Sequence, residues 1–547
     1  MFKRTKAVCL LLSAVFTLSV VISGCGTSQE TQSAQSQQQA AEQTQQAAEQ
    51  TQQAAEQSEE MVTIKGWMGF TPDPAASADI KSMNDQLLWK ELAKETHVQV
   101  VWENVNNKEA ATQMGLLMAS GNLPDFVAGI NPQQLANYGR QGSLQPLEKI
   151  IDEQVPVLKD IMSQYPDVKA QITSPDGHIY FYPRLLLDPV PQCFTGWWIR
   201  GDWLKEQNLN VPETMDELYS VLKALKSANP NRYPFFENIR AMIWNFGVGA
   251  REYNATNNDF FLEDNQVKFG PTDPRYKDAL VFLNKLYAEG LIDPEYLSLN
   301  GDQKNEKVMQ ETGGFGFGSN AGQLTRYNTM LKAGGKNPGF IAMAPLKSPA
   351  GQRNIPVRHG AIDSSVGMSV CVTSKNTEAV AKLINYIYGD KGTMLANFGI
   401  EGDTYNLVDG KPVFTDKVAK NANMNILTYI NNYISWASLI SSNVHPEQYK
   451  ATLSEEGLKG NAIAVQNRGT TRIPFLNFSD EELKEVLAIE RDINTFIDEN
   501  THGYIMGKKK FSTYEDFQQG LKKIGSDRLL EMYNGAYNRY KAVAEGK

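Results

Sequence analysis

The residues best placed to do chemistry in this 547-residue chain are aromatic rather than nucleophilic. Its five histidines (His97, His178, His359, His445 and His502) are scattered, no H-E-x-x-H or Cys/His cluster offers a metal site, and no G-x-S-x-G elbow presents a serine. The glycines of Gly313–Gly322 lack the P-loop lysine and the GxGxxG spacing, so they read as a close-packed strand and turn. Among 62 acidic residues a carboxylate pair can always be imagined, which keeps a secreted polysaccharide-degrading enzyme as a rival reading without a motif in its favour. Eight tryptophans offer a different chemistry. A flat ring face stacks on the C–H side of a sugar, while a few fixed polar groups take its hydroxyls. Trp67 sits among Gly66, Gly69 and Pro72, Trp244 lies in IWNFGVG and Trp436 in NNYISWASLISSN; for these three, stacking on a ligand and ordinary packing are even alternatives. Trp197, in FTGWWIR, is also a candidate, although it or Trp198 must face a core if the segment is a strand. Trp89, Trp102 and Trp203 fall on periodic apolar faces and are assigned to the core. The polar candidates are Glu237 in PFFENIR, Asn320 in FGSNAG, and Arg358 and Asp363 in VRHGAIDSS. Arg358 suits an acidic sugar or, the commoner fate of an arginine, a surface carboxylate.

Positioning these groups falls to a body that begins near Met61, too long for one ordinary core and therefore expected to form two lobes. Val62 and Ile64 open a strand, Leu87, Leu88 and Leu92 share a helical face, and Val98, Val100 and Trp102 alternate as a half-buried strand. A helix carrying Met114, Leu117 and Met118 stops at Gly121 before the apolar run Phe126–Ala128. This alternation predicts a mostly parallel sheet covered by helices. Later helices are punctuated as clearly: Thr214 to Glu217 reads as a capping box, Asp273-Pro274 as an N-cap with N1 proline, and a further helix runs from about Thr377 to Gly389. After Tyr429 the pattern turns mainly helical.

The amino terminus reads as an export signal: Lys3, Arg4 and Lys6 precede an apolar run from Ala7 to Ile22 that is shorter than a membrane span. Removing those three positive charges takes the formal charge from −9 to −12, so nucleic acid is not an expected partner. Residues 31–60 repeat QQAAEQT every seven positions; a hydrated stalk and a featureless linker explain them equally, and neither contributes to the fold. Of four cysteines, Cys9 leaves with the signal, and a bridge between Cys193 and Cys371 stays open.

Ile22-Ser23-Gly24-Cys25 resembles the lipobox of bacterial lipoproteins, which implies that Cys25 is acylated and becomes the mature N-terminus after cleavage of residues 1–24; an ordinary secretory signal is the alternative. Further segments carry a wider resemblance: LLMASGNLPDFVAG (Leu116–Gly129), GSLQPLEKIID (Gly142–Asp152), DGHIYFYP (Asp176–Pro183), WIRGDWLKEQNLNVPETMDELYSVLKAL (Trp198–Leu225) and FGIEGDTYNLVDGKPV (Phe398–Val413). Their order and spacing resemble the family 1 extracellular solute-binding lipoproteins of bacterial ABC importers, particularly the long oligosaccharide-binding branch that includes alginate-binding proteins. The resemblance implies an α/β, two-lobed periplasmic-binding-protein-like fold with a ligand cleft between the lobes and a helix-rich C-terminal part. Mapped by order, the N-terminal lobe is 61–187 with 365–430 and the C-terminal lobe 188–364 with 431–547, joined to the lipid anchor by residues 25–60. It also implies a monomer on the extracellular face of the cell membrane that closes on an oligosaccharide and passes it to permease subunits. A peptide or other small solute is the alternative ligand, and a stalked adhesin would explain the anchor but not the two-lobed pattern. No cofactor is expected. The loop Lys226–Pro234 has no carboxylate where relatives carry a calcium loop, so no structural calcium is expected there.

Overall fold

The chain divides into two units, Met1–Glu60 and Met61–Lys547. The structure, a computed structural model, describes residues 60–76, 78–250, 259–353, 360–436, 440–468 and 472–547. The signal, Cys25, the repeat tract and Arg358 lie outside the described residues.

Four strands come first: β1 (Val62–Gly69), β2 (Val98–Val105), β3 (Phe126–Ile130) and β4 (Tyr182–Leu185). β5 (Thr195–Arg200), β6 (Phe235–Glu237), β7 (Phe260–Glu263), β8 (Gln266–Phe269), β9 (Phe315–Ser319) and β10 (Phe340–Met343) follow. The last are β11 (Ile362–Val370), β12 (Tyr405–Val408) and β13 (Lys411–Phe414). The strands assemble into two sheets, ordered β2-β1-β3-β11-β4 and β10-β5-β9-β6, and two hairpins, β7-β8 and β12-β13. In the first sheet β1 runs parallel to β2 from Val62 opposite Val98 to Gly69 opposite Val105, and parallel to β3. Val98, Val100 and Trp102 point inward, and Trp102 meets Trp89 of the helix Leu87–Thr96 at 4.7 Å in an edge arrangement. The helix Ala110–Ser120 ends where Gly121 takes φ +69°, a left-handed cap that favours glycine.

The expectation of mostly parallel sheets holds for β1, β2 and β3, and β6 also runs parallel to β9, but the other pairings in the two sheets are antiparallel. β11 lies antiparallel to both β3 and β4, and β5 antiparallel to β9 and β10. The cause is the crossing between lobes. β4 and β10 end at the edge where the chain changes sheets, while β5 and β11 start there, so the entering strands must run the opposite way.

Each sheet has its own core. The first contains Ile64, Trp67, Phe126, Val127, Phe181, Met368 and Ile384. The second contains Trp197, Leu222, Trp244, Leu280, Leu283 and Phe315, with Val486, Ile493 and Tyr533 from the C-terminal helices Asp480–Ile505 and Ser526–Ala544. Leu280, Leu283 and Leu286 are fully buried on one face of the helix Pro274–Ala288, each stabilising by about 1.5–3 kcal/mol relative to exposure. That helix starts as its sequence announces, with Asp273 accepting from the Arg275 amide and Pro274 next. Thr214 likewise accepts from the Glu217 amide, but the Glu217 carboxylate takes the Glu213 amide at 2.7 Å instead of completing the box.

The lobe boundaries shift at two places. Ile362 already belongs to the first core. Residues expected in the second lobe after 431 pack on the first: Ile440 with Tyr433 and Trp436 against its core, and Ile434 in a neighbouring cluster with Phe398, Tyr405 and Phe414. The helix Asp390–Phe398, which belongs to that side, packs against this segment through Phe398. Cys193 and Cys371 are free and sit in different cores, where burial pushes their thiols up to about 11 and about 12. Among the described residues no helix is long and apolar enough to cross a membrane.

Candidate functional site

Where β3 ends, Asn131 caps the helix Pro132–Arg140: its side-chain oxygen accepts from the amides of Gln133 (2.9 Å) and Gln134 (3.4 Å), and Pro132 fills the first helical position. This places Asn131, Gln133, Gln134, Asn137 and Tyr138 at the carboxyl edge of the first sheet, beside the start of β11, where Ile362 and Ser364 turn to the same side. Opposite them, Leu483, Val486, Leu487 and Glu490 recur at helical spacing along Asp480–Ile505, with Tyr533 behind. The irregular stretch Arg472–Phe478 closes the back. Together they line a cavity of ≈ 640 Å³ between the two cores.

Two sets of bonds hold its rims. Arg140 donates to the Asp480 carboxylate at 2.6 Å and to the Ser174 hydroxyl at 2.8 Å, joining the capped helix to the first turn of Asp480–Ile505. Gln171, also in the lining, is 1 % exposed; its Oε1 accepts from the Phe475 amide (3.2 Å) and its Nε2 donates to Asp167 Oδ2 (2.8 Å). Asn477 donates to the carbonyls of Gln171 and Thr173, and Tyr540 donates to Asp167. Burial raises the Asp167 carboxyl above its usual value against the pull of those donors. Tyr533, buried and facing the Glu490 carboxylate at 2.6 Å, has its phenol held well above 10, so it stays a donor.

None of the sequence-derived candidates that the structure describes lines this cavity. Trp67 and Trp197 are each 1 % exposed and Trp244 is 2 % exposed; Trp197 stacks on Phe315 at 5.2 Å, and the Trp244 indole donates to the Ala250 carbonyl. Both members of the Trp197-Trp198 pair are buried, one on each face of β5, because helices cover that sheet on both sides. Glu237 and Asn320 do sit at the cleft-side ends of β6 and β9, but inside the protein. Glu237 accepts from the Tyr327 hydroxyl (2.7 Å) and pairs with Lys304 (3.3 Å), and Asn320 is wedged between Gly196 and Gly460. Asp363 alternates away from Ile362 and Ser364 and pairs with Arg184 at 2.6 Å. Trp436 is half-buried, edge-on to Phe70 at 4.9 Å. The sequence reading missed the lining helix although its signal was present: Asn131-Pro132 directly after an apolar run is an N-cap with N1 proline at a strand end. In the loop at 226–234, the Arg232 guanidinium lies 3.8 Å over the Trp203 ring and the Lys226 ammonium 3.8 Å over the Tyr233 ring.

Two α/β lobes crossed by the chain more than once, with a cavity at the carboxyl edge of the first sheet, define a two-lobed binding protein. The profile of the bacterial extracellular solute-binding proteins matches residues 81–394, and the chain belongs to that family. It is 25 % identical over 500 residues to the fructooligosaccharide ABC transporter substrate-binding protein FusA of Streptococcus pneumoniae, covering 84 % of this chain and 88 % of that protein. It is 26 % identical over 488 residues to the lipoprotein LipO of Bacillus subtilis, covering 86 % of this chain and 91 % of LipO. Among solved structures, the alginate-binding protein AlgQ2 without calcium ion superposes with a TM-score of 0.68 at 28 % identity, over 88 % of this chain and 99 % of AlgQ2.

Proposed function

We propose that this protein is the lipid-anchored extracellular receptor of an ABC importer, capturing an oligosaccharide in the cavity between its lobes and handing it on uncleaved. The observation that carries the reading is the makeup of that cavity: carboxamides from the first lobe, half-buried Tyr138 and Phe475, and an apolar wall from the second. Amides satisfy hydroxyls, rings and aliphatic side chains cover C–H faces, and groups from both sides bind the ligand better when the lobes approach. Glycoside hydrolysis works through two carboxylates flanking the bond, whereas Glu490 is the single carboxylate among the described lining residues and is already held by Tyr533. Sugar-binding relatives support the ligand class, and LipO supports the anchor at Cys25, which keeps the receptor close to its permease.

Thermal-shift titration of Met61–Lys547 against oligosaccharides and peptides tests the ligand, since binding to the folded state alone raises the melting temperature. Recovery of cleaved sugar would favour an enzyme, and stabilisation by peptides alone would overturn the carbohydrate reading. Labelled palmitate should enter the full chain and not Cys25→Ser, whose protein should appear in the medium.

A further inference from the structure

Within the carbohydrate reading, on which this inference rests, the relatives leave the charge of the ligand open, because fructooligosaccharides are neutral and alginate is a polyuronate. We infer that this cleft selects an uncharged oligosaccharide, reading its hydroxyls through the carboxamides Gln133, Gln134 and Asn137, and rejects uronates. A carboxamide carries a donor and an acceptor side by side, matching a pair of neighbouring hydroxyls, each of which both gives and takes a hydrogen bond. A uronate carboxylate only accepts, and is held best by a guanidinium or ammonium. Among the described lining residues the charged ones are Arg472 and Glu490, one of each sign, so the described lining carries no net positive charge to hold a uronate. Taking an unpaired carboxylate out of water is costly. Gln133 points the same way: its Nε2 is buried with no hydrogen-bond partner, a donor awaiting an oxygen. The chain's formal charge of −9 adds a long-range repulsion that grows with every uronate unit.

The test is titration calorimetry of the full chain at low and physiological salt. One arm uses neutral tri- and tetrasaccharides of the fructo-, gluco-, xylo- and manno- series, and the other uses galacturonate, mannuronate and guluronate oligomers of matched length. The expected result is binding to a neutral series and at least about 100-fold weaker binding of every uronate. Gln133→Leu should weaken the neutral ligand by about 5- to 50-fold, the loss of one or two hydrogen bonds, and Glu490→Gln should narrow the discrimination against uronates about tenfold. Circular dichroism and melting of both variants separate lost recognition from lost folding. A uronate that binds as tightly as any neutral sugar overturns the inference while leaving the carbohydrate reading standing. Failure of every neutral sugar overturns the inference as well, and if peptides then bind, the carbohydrate reading falls with it.

Discussion

Replacing Gln171 by leucine tests whether the rim of the cleft is held as the structure shows. Leucine keeps roughly the volume but none of the hydrogen bonds, so the Phe475 amide loses its acceptor and the Asp167 carboxylate loses one of its donors, along with a longer bond to the Asp167 carbonyl. The first loss is that of a neutral bond, about 1 kcal/mol, and the second that of a bond to a charged group, about 1.5–3 kcal/mol while Asp167 is ionised. The expected destabilisation is therefore roughly 2–4 kcal/mol at about pH 8, lowering the urea midpoint by roughly 0.5–1 M. The pH dependence carries the sharper signature. Asp167 has a folded-state pKa above 3.8, so its charged form costs stability as pH rises from that value through the folded one. Removing a donor raises the folded value further, so the gap between variant and wild type widens on the alkaline side. As pH falls towards 3.8, Asp167 takes a proton in both proteins and only the losses at the Phe475 amide and the Asp167 carbonyl remain. Urea unfolding followed by tryptophan fluorescence at the two ends of that range measures both. A variant matching wild type throughout, or equally destabilised at both ends, refutes the reasoning.

Three further outcomes are expected. Tyr138→Ala removes a half-buried ring from the cleft; on the order of 100 Å² left for the ligand, at about 25 cal/mol per Å², weakens the calorimetric affinity for the best neutral sugar by roughly 70-fold, with melting little changed. His178→Gln removes the partner of Glu148 at 2.5 Å. The hydrogen bond to Glu148 raises His178 above 6.5, so that contribution is present below 6.5 and fades as pH rises through the raised value; burial pushes Glu148 up, but His178 and the Ile179 amide leave it below 4.5, so its part fades under acid. The variant's melting temperature should therefore drop most between pH 4.5 and 6.5, and the drop should shrink as pH rises through the raised His178 value. Gly139→Ala would put a methyl 2.2 Å from the Tyr180 ring, so denaturant unfolding should show about 1–3 kcal/mol lost, with weaker sugar binding because the same helix carries Asn131–Tyr138.

The alternating grammar of the first lobe was legible because its signals are local. Val98, Val100 and Trp102 mark a buried strand face by period two, and Gly121 marks a helix end by its left-handed backbone. What one sequence does not reveal is which way a large ring faces once the chain is compact. Trp67 and Trp244 sit in glycine-flanked segments that resemble exposed loops, yet each is buried because covering a ring stabilises more than displaying it. The antiparallel β11 was equally hidden, since strand direction depends on where the chain re-enters a lobe rather than on its residues. The stretch Arg472–Phe478 has no periodicity to announce it; its place is fixed by Gln171, 304 positions earlier than Phe475.

Of the charged candidates, Glu237 and Asp363 lie outside the cavity for a reason that bears on how such a receptor works. Glu237 with Lys304 and Tyr327, and Asp363 with Arg184, occupy strand ends facing the cleft, but each carboxylate is turned inward to a partner from its own side. Their ionic interactions are therefore satisfied before any ligand arrives and are the same whether the lobes are apart or together. Closure then has mainly amides and apolar surface to strip of water, which costs far less than burying free ions. A ligand needs only a modest difference in affinity between the two arrangements to shift the population. On the proposed function, the same modest difference would let a permease that favours the open arrangement recover the ligand, which a cleft sealed by buried salt bridges to the ligand would oppose.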